Sequence, residues 1–213
     1  NNNKIKATIN EDEYSDADIV FVCSNCDFNF KKKRVDLKKY IKNIEQITKK
    51  IKKNCLIIIQ STLPPGTTEK VLKPLIEKNL KKRGIKNYFL CHSFERVTPG
   101  KDYFNSMKNV ERIIGAINKE SFNYAKKIFK NVFNLKDEKI IELDNTNDSE
   151  TCKIIENSYR ATNIAFIHEW QRFADTFEID LNKIVEVIRK RKTHQNIMKP
   201  GLGFGGYCLT KDP

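Results

Sequence analysis

The fold is decided by the stretch Cys55-Leu-Ile-Ile-Ile-Gln-Ser-Thr-Leu-Pro-Pro-Gly-Thr-Thr68. It begins with an apolar run, typical of a strand buried on both faces, and passes into a polar turn fixed by Pro64-Pro-Gly66. A helical pattern over residues 67–82 follows directly. Strand, turn and helix in this order are typical of a parallel α/β sheet, in which ligands bind beyond the carboxyl ends of the strands.

The same alternation extends on both sides of this stretch. In the segment 37–52, for example, apolar residues recur every three or four positions and predict an amphipathic helix. We therefore predict a parallel α/β sheet as the first domain, residues 1–144. Its strands are predicted at 5–9, 18–23, 55–61, 88–92, 112–116 and 139–143, and its helices at 37–52, 67–82 and 120–133.

The pattern becomes all-helical after residue 144. Residues 148–178 contain neither Gly nor Pro and predict one long helix, and residues 181–192 predict a second. A glycine-rich segment then holds four of the chain's eight glycines, at positions 201, 203, 205 and 206. We predict a second, helical domain over residues 145–213.

The net charge of +13, from 40 basic and 27 acidic residues, raises nucleic acid and phosphate-bearing ligands as partners. The basic residues are mostly Lys and are dispersed, whereas recognition of phosphates and bases favours the Arg fork. The dense run Lys31-Lys-Lys-Arg34 is interpreted as a solvated loop. A non-catalytic basic α/β module that binds nucleic acid or another anionic partner is kept as the alternative function.

The six cysteines and the hydropathy favour an intracellular, cytoplasmic protein. Several of the cysteines fall in or beside predicted strands, which favours reduced thiols over a disulfide framework. The longest apolar run is far shorter than the roughly 20 residues of a membrane span, and the chain opens without a secretory leader pattern. Cys23 and Cys26 lack a second pair, so we expect no metal site there.

Cys208 is the sharpest chemical candidate. It directly follows the glycines, which can present backbone N–H groups to an anion, and it precedes Lys211 and Asp212. A nearby cation favours the thiolate, and a carboxylate can orient a proton. On spacing alone, a flexible loop that contains an incidental cysteine explains this segment equally well.

Polar residues in three further segments could complete a site. Lys153 and Asn157 are i,i+4 neighbours on the long helix and could stabilise an oxyanion, although such pairs are usually just solvated. Ser61 and Thr62 follow one predicted strand. Glu95, a candidate base, and Arg96, a fork for phosphate or carboxylate, follow the next strand.

Four ordered segments give the chain a family resemblance: Ser61-Thr-Leu-Pro-Pro-Gly-Thr-Thr68, Phe94-Glu-Arg-Val-Thr-Pro-Gly-Lys101, Lys153 to Asn157 with Ile164-Ala-Phe-Ile-His-Glu169, and Gly205-Gly-Tyr-Cys-Leu-Thr-Lys-Asp-Pro213. In these segments it resembles the nucleotide-sugar 6-dehydrogenases, and Glu-Arg-Val-x-Pro-Gly leans toward the UDP-N-acetylhexosamine branch. The resemblance implies a Rossmann-like first domain and NAD-dependent oxidation of the C6 hydroxyl to a carboxylate through a Cys thiohemiacetal and thioester.

The resemblance also implies roles for individual residues. Cys208 would be the nucleophile, Lys153 and Asn157 the oxyanion donors, and Glu95 the carboxylate for thioester hydrolysis. Asp212 and Thr62 would hold a water used in proton transfer. The implied cofactor-binding residues are Ser24, Ser61, Thr62 and Lys211, and the implied substrate-binding residues are Glu95, Arg96, Lys153, Asn157, Gly203, Gly205 and Gly206.

The chain also departs from the family pattern. The segment Ser24-Asn-Cys-Asp27 replaces the usual Thr-Pro, Phe94 replaces a proline and His168 an asparagine, while Arg112 lies in a segment similar to the family's Arg-Ile-Ile-Gly. The chain opens without the family's Gly-x-Gly-x-x-Gly motif, and we expect it to be an internal piece that stops before the family's third domain. The resemblance further implies a homodimer through the helix at 148–178, with a nucleotide-sugar substrate and neither membrane nor nucleic acid as partner.

Overall fold

The computed structural model describes residues 5–97, 100–101, 103–133 and 135–213, with the side chain of residue 106 excepted. Within the motif at 94–101, Thr98 and Pro99 lie outside the described residues. The chain forms two compact units, Asn1–Thr151 and Cys152–Pro213, which are treated separately below.

The first unit is built on a five-stranded sheet in the order β1-β4-β5-β6-β7. The neighbouring pairs β1–β4, β4–β5 and β6–β7 are parallel. A separate hairpin, β2 with β3, follows β1. The strands are β1 (Ile19–Val22), β2 (Asp27–Asn29), β3 (Arg34–Asp36), β4 (Leu56–Ile59), β5 (Phe89–His92), β6 (Arg112–Ala116) and β7 (Ile140–Leu143).

The interior strand β4 divides the hydrophobic core between the two faces of the sheet. All four of its residues are buried. Ile57 and Ile59 join one apolar cluster, while Leu56 and Ile58 join the other, as the two-residue period of a strand requires. The first cluster includes side chains of α1 (Lys38–Thr48) and α2 (Lys73–Lys82), and the second includes those of α4 (Lys119–Phe133).

The predicted strand at residues 5–9 is wrong. These residues have no regular structure, and the Ile5 and Ile9 side chains are 94% and 103% exposed. Within the described chain β1 pairs only with β4, and residues 5–9 do not add to its other edge. An apolar run without a partner strand cannot satisfy its backbone groups in a sheet.

The sheet is also not parallel throughout, because β5 and β6 are antiparallel. Cys91 lies opposite Ala116 and His92 opposite Gly115, so the start of β6 extends past the carboxyl end of β5. Strand direction depends on how the connection crosses the sheet, which an apolar run does not encode. This reversal brings Arg112 to the edge of the sheet where the predicted site residues lie.

The other predicted strands and helices of this unit are present, with shifts of a few residues at their ends. Among the described residues, the β2–β3 hairpin, two 3₁₀ turns at Glu11–Asp16 and Asp137–Lys139, and α3 (Tyr103–Asn109) were not predicted. The Lys31-Lys-Lys-Arg34 run forms the turn of the hairpin, and Arg34 begins β3. The segment Thr68–Leu72, predicted as the first turns of one α-helix, is π-helical and leads directly into α2.

The second unit holds most of α5 (Thr146–Thr176), together with α6 (Leu181–Ile188) and the glycine-rich segment. Ile167 and Ala174 of α5 form a small apolar core with Leu181 and Val185 of α6. The second helix ends four residues before its predicted end, and a 3₁₀ turn at Lys192–His194 follows it. Among the described residues, every helix is too short or too polar to cross a bilayer.

Candidate active site

The carboxyl ends of β1 and β4 are joined through the side chain of Ser61. Its Oγ lies 2.6 Å from the Ser24 carbonyl oxygen and 3.2 Å from that of Val22, so it donates to this pair of acceptors. The hydroxyl of Tyr40 donates to Ser61 Oγ at 3.2 Å, and burial raises the pKa of that phenol. Ser61 therefore ties two strand ends together.

The polar groups beyond these strand ends suit a polyhydroxylated ligand. Asn43 Nδ2 donates to Ser24 Oγ at 2.9 Å, which leaves the proton of that hydroxyl to be donated elsewhere. Cys23 Sγ donates to Gln60 Oε1 at 3.2 Å, and partial burial, followed by the charge of Glu95, raises the pKa of this thiol. Hydroxyl and amide groups at the carboxyl edge of parallel strands fit a ribose such as that of NAD.

The turn after β4 binds a carboxylate of its own chain. Glu150, near the start of α5, accepts hydrogen bonds from the Gly66 N–H at 2.6 Å and from the Thr68 N–H and hydroxyl at 2.8 and 2.6 Å. These donors at the start of a helix would otherwise suit a phosphate. The arrangement therefore occupies the donors of this turn that a phosphate would otherwise use.

Glu95 is held by a buried arginine that begins β6. Arg112 Nη1 donates to Glu95 Oε2 at 3.0 Å, and its Nη2 donates to the Met107 carbonyl at 2.8 Å. The guanidinium also lies 4.3 Å from the centre of the Phe133 ring, while its Nε is buried without a hydrogen-bond partner. The only sequence signal for this contact was the resemblance of the Arg112 segment to a family motif.

The Arg96 side chain forms an ion pair within its own unit. Its Nη1 lies 3.4 Å from Glu111 Oε2, and its backbone N–H donates to Glu95 Oε1 at 2.8 Å. Glu95 thus receives hydrogen bonds on both of its oxygens, one from a backbone N–H and one from Arg112. This carboxylate is fixed in orientation.

In the second unit, the predicted residues Asn157, Asp212 and Lys211 come together. Asn157 Nδ2 donates to Asp212 Oδ2 at 2.7 Å, and Lys211 Nζ lies 3.3 Å from Asp212 Oδ1. The Asp212 N–H donates to the Cys208 carbonyl at 2.9 Å, while the Cys208 thiol is exposed. The predicted i,i+4 residue Lys153 is half-buried on the same helix as Asn157.

His168 was not among the predicted site residues, although it contacts the glycine-rich segment. Its Nδ1 lies 3.1 Å from the Gly201 carbonyl, and a Cβ added to Gly203 would sit 3.8 Å from its ring. Gly203 and Gly206 adopt φ values of 91° and 83°, the left-handed region that favours glycine. Gly205 is exposed, with open space where a Cβ would lie.

An aromatic row runs along the second half of α5 and ends just past it, on the segment predicted to form a dimer. Phe166, Trp170, Phe173 and Phe177 recur every three or four residues, and each contacts the next in the row with centroids 4.5–6.5 Å apart. Each of these side chains is about half exposed, at 46–61%. Such a continuous apolar surface is typical of a protein–protein contact.

Two family models match the chain. The NAD binding domain of the UDP-glucose/GDP-mannose dehydrogenase family matches residues 1–133, and the central domain of the same family matches residues 147–213. The two matches follow the same order as the sheet unit and the helical unit.

Individual relatives point in the same direction. The chain is 35% identical to the UDP-N-acetyl-D-mannosamine dehydrogenase of Methanocaldococcus jannaschii over 90% of its own length and 41% of the relative's. It is 34% identical to the enzyme of that name from Campylobacter jejuni, over 78% of this chain and 41% of the relative. The structure of the UDP-D-ManNAc dehydrogenase from Pyrococcus horikoshii superposes with a TM-score of 0.85 at 28% identity, covering 98% of this chain and 48% of that one.

The chain thus spans less than half of the length of these relatives. The matched regions include the sheet and the segment that carries Cys208. The sequence resemblance is confirmed: this chain belongs to the UDP-glucose/GDP-mannose dehydrogenase family.

Proposed function

We propose that the protein carrying this chain oxidises the C6 hydroxyl of a nucleotide-sugar to a carboxylate with NAD, and that the sugar is a UDP-linked N-acetylhexosamine. The observation that carries the proposal is the Asn157–Asp212 contact beside Cys208, which orders polar groups around an exposed thiol. The names of the relatives, UDP-N-acetyl-D-mannosamine dehydrogenases, support the choice of sugar.

In the proposed reaction Cys208 is the nucleophile. Its thiolate adds to the C6 aldehyde to form a thiohemiacetal, oxidation of which leaves a thioester that water cleaves to the carboxylate and the free thiol. NAD⁺, when bound, accepts the hydride in each of the two oxidations. Lys153 and Asn157 donate to the oxyanion that develops on C6, and the amide of Asn157 has a second N–H beyond the one that binds Asp212.

Two carboxylates and one hydroxyl take part in the proposed proton transfers. Asp212 and Thr62 hold the water that takes part in proton transfer, and Glu95 activates the water that cleaves the thioester. The ion pair with Arg112 supports this role for Glu95, because it fixes the position and orientation of the carboxylate. Ser24, Ser61 and Lys211 line the cofactor side, with Ser61 acting through the strand ends that it ties together.

The substrate side of the proposal rests on Arg96 and on the glycine-rich segment. Gly203, Gly205 and Gly206 let the backbone approach the sugar closely, and the positive φ at two of these glycines supports that role. The Glu111 ion pair of Arg96 is partly exposed and could exchange for a pair with a substrate phosphate.

We further propose a cofactor domain at residues 1–144 and a helical domain at 145–213, both parts of a longer cytoplasmic enzyme. The aromatic row on α5 supports homodimerisation through residues 148–178, since a second copy would cover its half-exposed rings. The non-catalytic nucleic-acid-binding module is not favoured, because both family models that match the chain describe dehydrogenase domains.

The test uses the natural protein that contains this chain, with UDP-N-acetylmannosamine, UDP-N-acetylglucosamine, UDP-glucose and GDP-mannose as substrates. We expect about two NADH for each UDP-N-acetylhexosamine consumed, and turnover abolished by Cys208→Ser. The variant Cys55→Ser removes a buried thiol directly before β4 and serves as the control for loss of a cysteine. Turnover that survives Cys208→Ser would overturn the proposal.

A further inference from the structure

A fully buried carboxylate joins the beginning of α5 to the turn after β4. Glu150 has no exposed surface, and its two oxygens accept three hydrogen bonds from Gly66 and Thr68, residues more than eighty positions earlier in the chain. The Thr68 side chain is equally buried. Each polar atom of this contact therefore depends on the others, since water does not reach them.

Ser149, the residue before Glu150, is linked through His92 to the other end of the same turn. His92 Nε2 lies 3.1 Å from the Ser61 carbonyl oxygen, and His92 Nδ1 lies 2.8 Å from Ser149 Oγ. Because a carbonyl can only accept, Nε2 donates to the Ser61 carbonyl, while the Ser149 hydroxyl donates to the His92 carbonyl at 3.2 Å and its oxygen also lies within hydrogen-bond distance of Nδ1. Ser61, His92 and Ser149 are all buried.

These two contacts enclose Thr62. The backbone is held just before it, at the Ser61 carbonyl, and again at the N–H groups of Gly66 and Thr68. Within the turn itself, the Thr67 hydroxyl donates to the Pro64 carbonyl at 2.6 Å. Thr62 thus lies on a short loop that is attached to the start of α5 at both ends, through His92 at one end and directly through Glu150 at the other.

Burial and hydrogen bonding act in opposite directions on the pKa of Glu150. Burial raises the pKa of Glu150, while the hydrogen bonds from Thr68 and from the backbone of Gly66 and Thr67 act in the opposite direction. A carboxylate has acceptors for every donor directed at it, whereas an amide would place its NH₂ group against an N–H. The three donors therefore match a carboxylate of this length in this position.

We propose that Glu150 is a positioning residue for Thr62: by holding the Gly66–Thr68 backbone, it sets where the Thr62 hydroxyl lies during turnover. The proposal rests on the role given to Thr62 in the proposed function. It is distinct from a purely structural role, in which Glu150 would stabilise the fold and leave the chemistry of Thr62 unaffected.

The first measurement is hydrogen–deuterium exchange of the natural protein, read on peptides covering residues 61–72. Glu150→Gln is expected to increase exchange there by at least about tenfold, because the Gly66 N–H loses its acceptor. Glu120→Gln is the matched control, since Glu120 also lies near the start of a helix, α4, but is exposed. Unchanged exchange in Glu150→Gln would overturn the proposal.

The second measurement is a double-mutant cycle with Thr62→Val. If Glu150 acts through Thr62, Glu150→Gln lowers kcat by about tenfold with little change in the sugar KM, and the double variant is no slower than Thr62→Val alone. If the two losses multiply, Glu150 acts independently of Thr62 and the proposal is overturned.

A milder pair of variants covers the case in which Glu150→Gln does not fold. Thr68→Val removes one donor to the carboxylate and is expected to reproduce the fall in kcat, while Thr68→Ser, which keeps the hydroxyl, restores it. If Thr68→Val and Thr68→Ser behave alike, the proposal fails. A Thr62→Val variant with full turnover would overturn the roles of both Thr62 and Glu150, whereas failure of the proposed function as a whole would appear as turnover that survives Cys208→Ser.

Discussion

The side chain of Asn157 is bonded to that of Asp212 across 55 residues of sequence, with 2.7 Å between Nδ2 and Oδ2. Asp212 is 9% exposed, and its second oxygen faces Lys211 at 3.3 Å. The contact joins the long helix to the segment that carries Cys208, since the Asp212 N–H donates to the Cys208 carbonyl. The order of this segment therefore depends on the hydrogen bond from the Asn157 amide to the Asp212 carboxylate.

Asn157→Asp should loosen the segment 201–213. The change would place two carboxylates where a donor now faces an acceptor, and like charges at this separation repel. We expect faster amide exchange over residues 201–213 and faster alkylation of Cys208. Asn163→Asp is the control, because Asn163 donates to the Tyr159 carbonyl of its own helix.

Exchanging the two side chains separates their effect on the order of residues 201–213 from their effect on turnover. In Asn157→Asp/Asp212→Asn an amide again faces a carboxylate, so amide exchange over 201–213 should return toward the wild-type rate. Turnover should not return, because residue 212 then lacks the carboxylate assigned to proton transfer. A double variant that recovers both, or neither, would contradict this account.

Gly115→Ala should destabilise the first unit by about 1–3 kcal/mol or more. A Cβ at Gly115 would lie 2.1 Å from the Asn145 carbonyl oxygen and 2.9 Å from Ser149 Cβ, so backbone atoms would have to move. Urea denaturation measures the loss. Gly201→Ala, with nothing within 4 Å of the added Cβ, should leave the free energy of unfolding nearly unchanged, and equal losses in the two variants would show this reasoning to be wrong.

Arg112→Lys should cost about 1–2 kcal/mol although it keeps the charge. The ammonium cannot donate to both Glu95 and the Met107 carbonyl in the geometry of the guanidinium fork, and it loses the planar contact with Phe133. Arg172→Lys, in an ion pair whose partners are both about 70% exposed, is the control and should change stability by less than about 0.5 kcal/mol. The comparison is made by chemical denaturation, and similar values for the two variants would contradict it.

Cysteine alkylation at pH 8 should separate exposed from buried thiols. Burial raises the pKa of Cys55 to about 11 and that of Cys91 further, so only about a thousandth of Cys55 would be thiolate at that pH. Mass spectrometry after brief iodoacetamide treatment should find label on exposed Cys208 and none on these two. Rapid labelling of Cys55 in the folded protein would contradict this ordering.

The same raised pKa values predict how stability depends on pH. The folded protein keeps these thiols protonated at pH values where the unfolded chain has lost the protons, so folding binds protons in that range. Their contribution is complete below the unfolded pKa of about 9 and is lost as the pH rises toward about 11, the pKa of Cys55. Denaturation midpoints should therefore fall over this range, and Cys55→Ala should reduce the slope.

Local patterns in the sequence were sufficient for most elements of the fold. The apolar run of β4, the helical spacing in α1, and the Gly- and Pro-free stretch of α5 each appear in the structure close to where they were predicted. Such elements are set by side-chain periodicity, which acts over a few residues. The residues 5–9 show the limit of this reasoning, because an apolar run forms a strand only where a neighbouring strand pairs with it.

The sequence by itself determined the family, through motifs that include Cys208, Lys153 and Asn157. Tertiary structure alone decided the direction of β6 and the partners that hold the candidate residues. Arg112 donates to Glu95, Glu150 accepts from the turn that ends at Thr68, and His168 contacts the glycine-rich segment. These contacts join residues 17–82 positions apart. A polar side chain has the same local pattern whether it is solvated or paired, and only the folded chain brings its partner within hydrogen-bonding distance.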